Sequence, residues 1–339
     1  MPTSLFMRSA RHRLSRLLSA LLVGPLLGWG VTACKREPAP SRDEPRRASA
    51  NEPSQPARDE HPIKRRRGGL DATFYVTADT HFGYRVPKHA PADRDVLAAP
   101  LGIEKVHRIV LDTMKRMPGR AYPPAIGGNV GDPLGVLVAG DLTESGEPQQ
   151  WQAFLTYYGS LPGLPLYEAV GNHDFWAVRE LSIKRHGALW YAWDWGDLHV
   201  ICLGEAPGAK ALVWLEQDLA RLEADVPVVV FMHFPLLGAY SDTWFTREHF
   251  DDKLHDALRG HNVAGIFHGH YHGSGRYRWR GHDVFNVGSA KHDAKSFAVV
   301  HVTDHKLSVA SWDYSRGAWE WWQNKDLSFG ALAPKPAPR

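Results

Sequence analysis

Five short motifs in this chain carry side chains suited to metal chemistry: Asp79-Thr80-His81, Gly140-Asp141, Gly171-Asn172-His173-Asp174, His233 and Gly269-His270-Tyr271-His272. Carboxylate, imidazole and amide donors without a cysteine suit Fe, Zn or Mn in a reactive site, not a closed structural zinc site. Singly, each motif is weak. Asp-x-His arises by chance, Gly-Asp is a common turn, Asn-His-Asp suits a turn or helix cap, and a lone histidine behind a strand is more often a hydrogen-bonded core residue. Together they are strong, because each follows an apolar run: 74–78, 136–139, 166–170, 228–232 and 263–267.

Apolar runs alternating with amphipathic stretches from about Leu70 predict an α/β protein. In open α/β sheets the site lies beyond the carboxyl ends of the strands, so five strands would deliver their motifs to one edge. The chain has 339 residues, 43% of them hydrophobic, ample for one large core. Its net charge of +3 divides unevenly. Residues 1–69 hold 14 Lys/Arg against 6 Asp/Glu, leaving 26 basic and 31 acidic residues in the remainder. The folded part therefore gives no general case for nucleic-acid binding. Two cysteines, Cys34 and Cys202, give no disulfide framework, and Cys202 in an apolar run reads as a buried strand thiol.

The series Asp79-x-His81, Gly140-Asp141, Gly171-Asn172-His173-Asp174, His233 and Gly269-His270-x-His272 resembles the signature of the calcineurin-like metallophosphoesterases, across residues 74–313. The resemblance implies an α/β fold, a four-layer α-β-β-α sandwich of two mixed β-sheets flanked by helices. Strand-like segments at 285–287, 297–302 and 307–312 are expected to build its second sheet. It implies one metal on Asp79, His81 and His272, another on Asn172, His233 and His270, and Asp141 bridging them. Two transition-metal ions (Fe, Mn or Zn) would sit ~3.5–4 Å apart and hold a hydroxide for in-line attack on phosphorus. His173 is implied as the general acid beside the leaving oxygen. Glu144, three residues after Asp141, is implied as the carboxylate that orients and charges His173; a favourable helix N-terminal acid is the alternative.

Departures from the family's branches narrow the substrate. Protein Ser/Thr phosphatases carry arginine where Ser145 and Val170 stand and glutamate where Asp174 stands, which argues against a phosphoprotein phosphatase. Purple acid phosphatases carry a tyrosine ligand where Glu144 stands, so no iron–tyrosinate colour is expected. Loss of the phosphate-clamping arginine favours a phosphodiesterase; the alternatives are a phosphomonoesterase or nucleotide pyrophosphatase. A non-catalytic binding module is the reading of another class, and such relatives lose ligands that are all present here.

Polar insertions at 82–100 and 117–133 are expected to flank the site. Arg85, Lys88, Trp176, Tyr240, Tyr271 and His292 are candidates to touch the substrate's organic part or spare phosphates, with ordinary surface or packing roles the alternative. Trp190, Trp193 and Trp195 are expected to pack around a strand. For Trp319, Trp321 and Trp322, packing over a sheet edge is preferred to an exposed patch.

Arg8, Arg11, Arg13 and Arg16 precede an apolar stretch at 17–31, the order of a secretory signal. Cys34 after Thr32-Ala33 resembles the lipidation site of bacterial lipoproteins. The expected organisation is a lipoprotein-type signal at 1–33, a disordered tether at 34–69, a metallophosphoesterase domain at 70–328 and a flexible tail at 329–339. The Lys64–Arg67 cluster reads as a solvated charge run. The expected partners are a small phosphoester substrate and, through the anchor, a membrane of the bacterial envelope, facing the periplasm.

Overall fold

The computed structural model of the protein describes residues 66–85, 102–241, 248–291 and 295–327. The leader, Cys34, most of the tether, Lys88, His292 and the tail lie outside the described residues. Along the chain come β1 (Asp71–Thr77), α1 (Gly102–Lys115), β2 (Pro133–Ala139), α2 (Pro148–Tyr158), β3 (Leu166–Ala169) and α3 (Trp176–His186). Then follow β4 (Tyr191–Trp195), β5 (Leu198–Cys202), α4 (Ala209–Leu219), β6 (Pro227–Phe231), α5 (Glu248–Leu258) and β7 (Asn262–His268). Five strands close the chain: β8 (Ser274–Trp279), β9 (His282–Val287), β10 (Ser296–Thr303), β11 (Lys306–Asp313) and β12 (Ala318–Asp326).

The strands form two six-stranded mixed sheets, ordered β12-β11-β10-β1-β2-β3 and β4-β5-β6-β7-β9-β8. Period-two alternation makes each central strand serve two cores. Tyr75 of β1 joins Val136, Val138 and Phe297 under α1 and α2, where Val106, Val110, Met114, Phe154 and Tyr158 cover them. Phe74 and Val76, on the other face, join Leu137, Val229, Phe267, Phe285 and Val300 between the sheets. Val228, Val230 and Ile266 face outward from the second sheet against Leu212, Leu215, Leu254 and Leu258 of α4 and α5. Three apolar layers separate four layers of backbone. The expected four-layer sandwich is the observed fold, and Cys202 is a buried free thiol in it.

Aromatic rings close both ends of the inter-sheet layer. Tyr167 stacks on Trp193 at 3.7 Å and Trp195 packs on Phe74 at 5.3 Å. Phe285 stacks between Phe267 at 5.0 Å and Trp321 at 6.0 Å. Trp319 packs on Trp312, and Trp322 is exposed. Packing accounts for most of the two tryptophan groups.

Three expectations need correction. First, 297–302 and 307–312 do not build the second sheet. As β10 and β11 they cross back to the first sheet: β10 pairs with β1, antiparallel from Asp71↔Thr303 to Val76↔Ala298, and β11 pairs with β10. Without β10, one edge of β1 would leave bare amides in the middle of a sandwich. Second, the 117–133 insertion does not flank the motif-bearing edge. It joins the end of α1 to the start of β2, the opposite pole, where Trp319 Nε1 and Asn324 Nδ2 bond its carbonyls at Ala121 and Ala125. Third, the charge run is not solvated throughout. Arg66 donates to the Asp304 carboxylate and carbonyl, and the amides of Arg67 and Gly68 bond Asp197 at 2.6 Å. The tether thus meets the body at the foot of β1.

Phe285 fills the inter-sheet layer at 0% exposure. Phe285→Ala is expected to cost about 3–5 kcal/mol in urea unfolding; a cost below about 1 kcal/mol would contradict this assignment of the core.

Candidate metal centre

The five motifs meet where β1, β2, β3, β6 and β7 end, so both sheets contribute. Backbone pairing continues past the strand ends: the Asp79 amide donates to Gly140 O and the His81 amide to Asp141 O, each at 2.9 Å. Gly269 N donates to His233 O within the second sheet, and His270 N reaches across to both carboxylate oxygens of Asp79 at 3.0 Å. Asp79, His81, Asp141, His270 and His272 all have positive φ, between 44° and 68°; among the described residues Arg280 is the one other non-glycine in that region. Such conformations cost a side chain-bearing residue about 1–3 kcal/mol each and persist only where the surroundings enforce them. Here they turn side chains just past the strand ends inward to one point. Gly171 is required by close approach: a Cβ there would lie 2.2 Å from Asp141 Oδ1.

Two groups of donors result. His272 Nε2 lies 3.2 Å from Asp79 Oδ1 and 3.1 Å from His81 Nε2, which is 3.6 Å from Asp141 Oδ2. On the other side His233 Nε2 lies 3.3 Å from Asp141 Oδ1 and 3.0 Å from Asn172 Oδ1. His270 Nδ1 completes that group, 2.9 Å from Asn172 Oδ1 and 3.2 Å from His233 Nε2. Asp141 belongs to both, one oxygen toward each. The donor atoms of Asp79, His81, Asp141 and His272 fall within 4.8 Å of one another, as do those of Asp141, His233 and His270.

The donors fit cations and little else. Asp79, His81 and His233 are fully buried and Asp141 nearly so. His233 Nδ1 donates to Ala139 O at 2.9 Å, which turns its Nε2 toward Asp141; burial lowers this imidazole, but the Asp141 carboxylate outweighs it and raises it to about 9. His81 Nδ1 faces Glu144 Oε2 at 2.8 Å, which turns its Nε2 inward. Burial, with the neighbouring His233, pushes His270 down to about 3, leaving it a neutral imidazole. Burial opposes ionisation of Asp141, but His233 and His81 outweigh it and hold the carboxyl well below its ordinary value. Each pair of facing imidazole nitrogens, 3.1–3.2 Å apart, shares a proton when one ring carries the N–H, and a metal cation bound there takes that proton's place. The seven residues expected as ligands are brought together, in two groups that share Asp141.

The profile of the calcineurin-like phosphoesterases matches residues 72–274. This chain belongs to that family. It is a metallophosphoesterase. A search of curated proteins by sequence found no match. Among solved structures, a dimetal phosphatase from Danio rerio is similar at 13% identity and TM-score 0.53, covering 76% of this chain and 99% of its own. GAP50, the anchor in the inner membrane complex of Plasmodium, is similar at 12% identity and TM-score 0.55, covering 79% and 92%. The purple acid phosphatase PPD1 of yellow lupin gives 14% identity and TM-score 0.54 over 75% of this chain, which spans 53% of that enzyme's length. At such identities these likenesses concern the fold alone.

Around the donors of this metallophosphoesterase, the role expected of Glu144 is corrected. Its carboxylate lies within 4.8 Å of a His173 ring nitrogen, but its close partners are others: it faces His81 Nδ1 and receives Lys291 Nζ on both oxygens, at 3.0 and 2.9 Å. Partial burial opposes its ionisation, but the His81 and Lys291 contacts outweigh that and lower it to about 2. His173 instead donates from Nδ1 to the Glu144 backbone carbonyl at 2.8 Å, and its amide donates to Asp141 Oδ1 at 2.9 Å. It stands beside His81, ring centroids 4.8 Å apart. The helix alternative for Glu144 also fails, since α2 begins four residues later.

Several residues around the donors support them in ways the sequence did not show. Asp174 is buried and accepts from Gly171 N, Leu142 N, Thr143 N and Thr143 Oγ1 at 2.7–3.0 Å, tying the Asn172 loop to the Asp141 loop. Burial and nearby Asp141 push its carboxyl up to about 6, while those donors pull it down. Arg179 bonds the carbonyls of Asp174 and Gly171, and pairs with Glu205 at 2.6 Å. The Glu205 carbonyl receives the amide of Phe234, next to His233. Asp174 lay inside a recognised motif. Arg179, Glu205 and Lys291 gave no signal, because their partners lie far away in sequence. Of the candidate substrate contacts, Arg85 and Trp176 are exposed, Tyr271 is half-exposed and Tyr240 partly buried.

A carboxylate behind a metal-binding imidazole fixes its orientation, and losing such a partner typically costs 10–100-fold in metal affinity. Glu144→Gln should weaken metal retention on that order in chelator competition. Wild-type affinity would contradict the pairing.

Proposed function

We propose that the chain hydrolyses phosphodiesters with two bound Fe, Mn or Zn ions. The observation that carries this reading is the shared Asp141, one carboxylate oxygen facing each of two buried donor groups. Asp79, His81 and His272 would hold one ion, and Asn172, His233 and His270 the other. When bound, a pair of such ions activates water and neutralises the phosphoryl oxygens. The protein's own part is to hold the donors rigid and dry, and to manage the leaving group's proton. With Nδ1 donating to Glu144 O, a protonated His173 presents Nε2–H outward, the atom we assign to protonating the leaving oxygen.

A diester is favoured over a monoester because a monoester dianion brings more charge than this site is built to balance. Ser145 and Val170 stand where arginines clamp phosphate in protein phosphatases, and the neighbouring cations Lys291 and Arg179 are already paired with Glu144 and Glu205. A binding module that has abandoned catalysis is disfavoured by the complete donor set. The arginines before the 17–31 apolar stretch and the position of Cys34 support export and lipid anchoring in a bacterial envelope.

The test is hydrolysis of matched diesters, monoesters and anhydrides by metal-stripped protein restored with Mn, Fe or Zn. Metal-dependent turnover with the highest kcat/KM on diesters is expected; preference for monoesters or anhydrides would reverse the substrate assignment. Asp141→Asn should lose more than the roughly 100-fold cost of an outer partner. His173→Ala should cost alkyl esters on the order of 10²–10⁴-fold and nitrophenyl esters far less. Equal losses on both would contradict its role as acid.

A further inference from the structure

Tyr271 lies between two of the metal donors, His270 and His272, and is 47% exposed. An ester held at the donors must carry its organic part past the rim they form. The Tyr271 ring is seated, not loose. A Cβ on Gly273 would fall 2.9 Å from Tyr271 Cδ1, so the ring lies against bare backbone there. Tyr240 packs against it near a right angle, centroids 5.3 Å apart at 77°, so the two rings are not stacked face to face.

Tyr240 has a seat of its own. A Cβ on Gly275 would fall 1.8 Å from its hydroxyl oxygen, and that hydroxyl donates to Ser274 O at 3.3 Å. Behind it stands Tyr277, 5.9 Å away, whose hydroxyl bonds both the amide and the carbonyl of Leu236. The segment after His233 and the segment after His272 are therefore locked together behind an exposed ring. Glycine at 273 and 275, at the start of β8, is what allows the rings to lie so close to the chain.

We propose that Tyr271, backed by Tyr240, is a specificity-determining platform that stacks a planar aromatic group, such as a nucleobase, in the organic part of the phosphoester. A flat, preorganised phenol ring favours an aromatic partner over an aliphatic one of equal size, because offset stacking adds to area burial. The inference rests on the two-metal reading above, but it can be tested by binding without turnover.

Dissociation constants of metal-loaded protein would be measured by titration calorimetry for two pairs of non-hydrolysable phosphonates. The pairs are the 5′-phosphonates of adenosine and ribose, and phenylphosphonate with cyclohexylphosphonate. The aromatic member should bind about 3–10-fold tighter in each pair. Tyr271→Leu should bring both ratios close to one, Tyr271→Phe should keep them, and Gly275→Ala, remote from the donors, should lower them by displacing Tyr240. Metal content measured on each variant separates loss of the platform from loss of the donors. Ratios near one in the wild type, or ratios unmoved by both Tyr271→Leu and Gly275→Ala, would overturn the proposal. Aromatic preference without hydrolysis of any ester would leave it standing and sink the catalytic reading instead.

Discussion

The crowding of seven metal-competent donors at one point governs this structure. Imidazole nitrogens from His81 and His272, and from His233 and His270, approach within 3.1–3.2 Å, alongside two carboxylates and an amide oxygen. Nothing in a folding chain favours that arrangement by itself. Burial penalises the charges, and five of the residues involved sit in the left-handed backbone region at about 1–3 kcal/mol each. The sandwich supplies what opposes these costs: three apolar layers, and strand pairing that runs on through Asp79, His81 and His233 beyond the ends of the sheets. Cations between the facing donors would bind the Asp79 and Asp141 carboxylates and the imidazoles together, coupling metal binding to stability.

Because the donors come from two sheets, the loops have to be tied across the sandwich as well as along it. Asp174 gathers four donors from the Asp141 and Asn172 loops, and Arg179 with Glu205 links the Asn172 loop to the segment holding His233. Lys291 reaches from the crossover between β9 and β10 to hold Glu144 against His81. That crossover is the chain's return to the first sheet, so the pairing that covers the bare edge of β1 also delivers a lysine to the site. Fold and site are set by one topological choice.

How much of this was legible in the sequence follows from the range of the interactions involved. The donors were readable because each stands directly after an apolar strand, a local pattern. Strand positions were readable for the same reason, to within a few residues. The sheet that accepts β10 and β11 was not, since alternating apolar residues look alike in either sheet and only the free edge of β1 decides. The partner of Glu144 was missed because proximity in sequence pointed to His173, while the chain turned its carbonyl that way and its carboxylate toward His81. The 117–133 insertion was misplaced by composition: polar, glycine-rich loops occur at both poles, and connectivity from helix to strand puts this one at the far end. The left-handed donors had no sequence signal: Asp and His enter that region more often than most residues but still uncommonly, so neither type marks a position for it.

The central claim is that two cations sit between these donors, sharing Asp141. Anomalous diffraction from crystals of manganese-loaded protein tests it directly. The account predicts two peaks ~3.5–4 Å apart, one against Asp79, His81 and His272, the other against Asn172, His233 and His270, with an Asp141 oxygen between them. A single peak, or peaks away from Asp141, would contradict it.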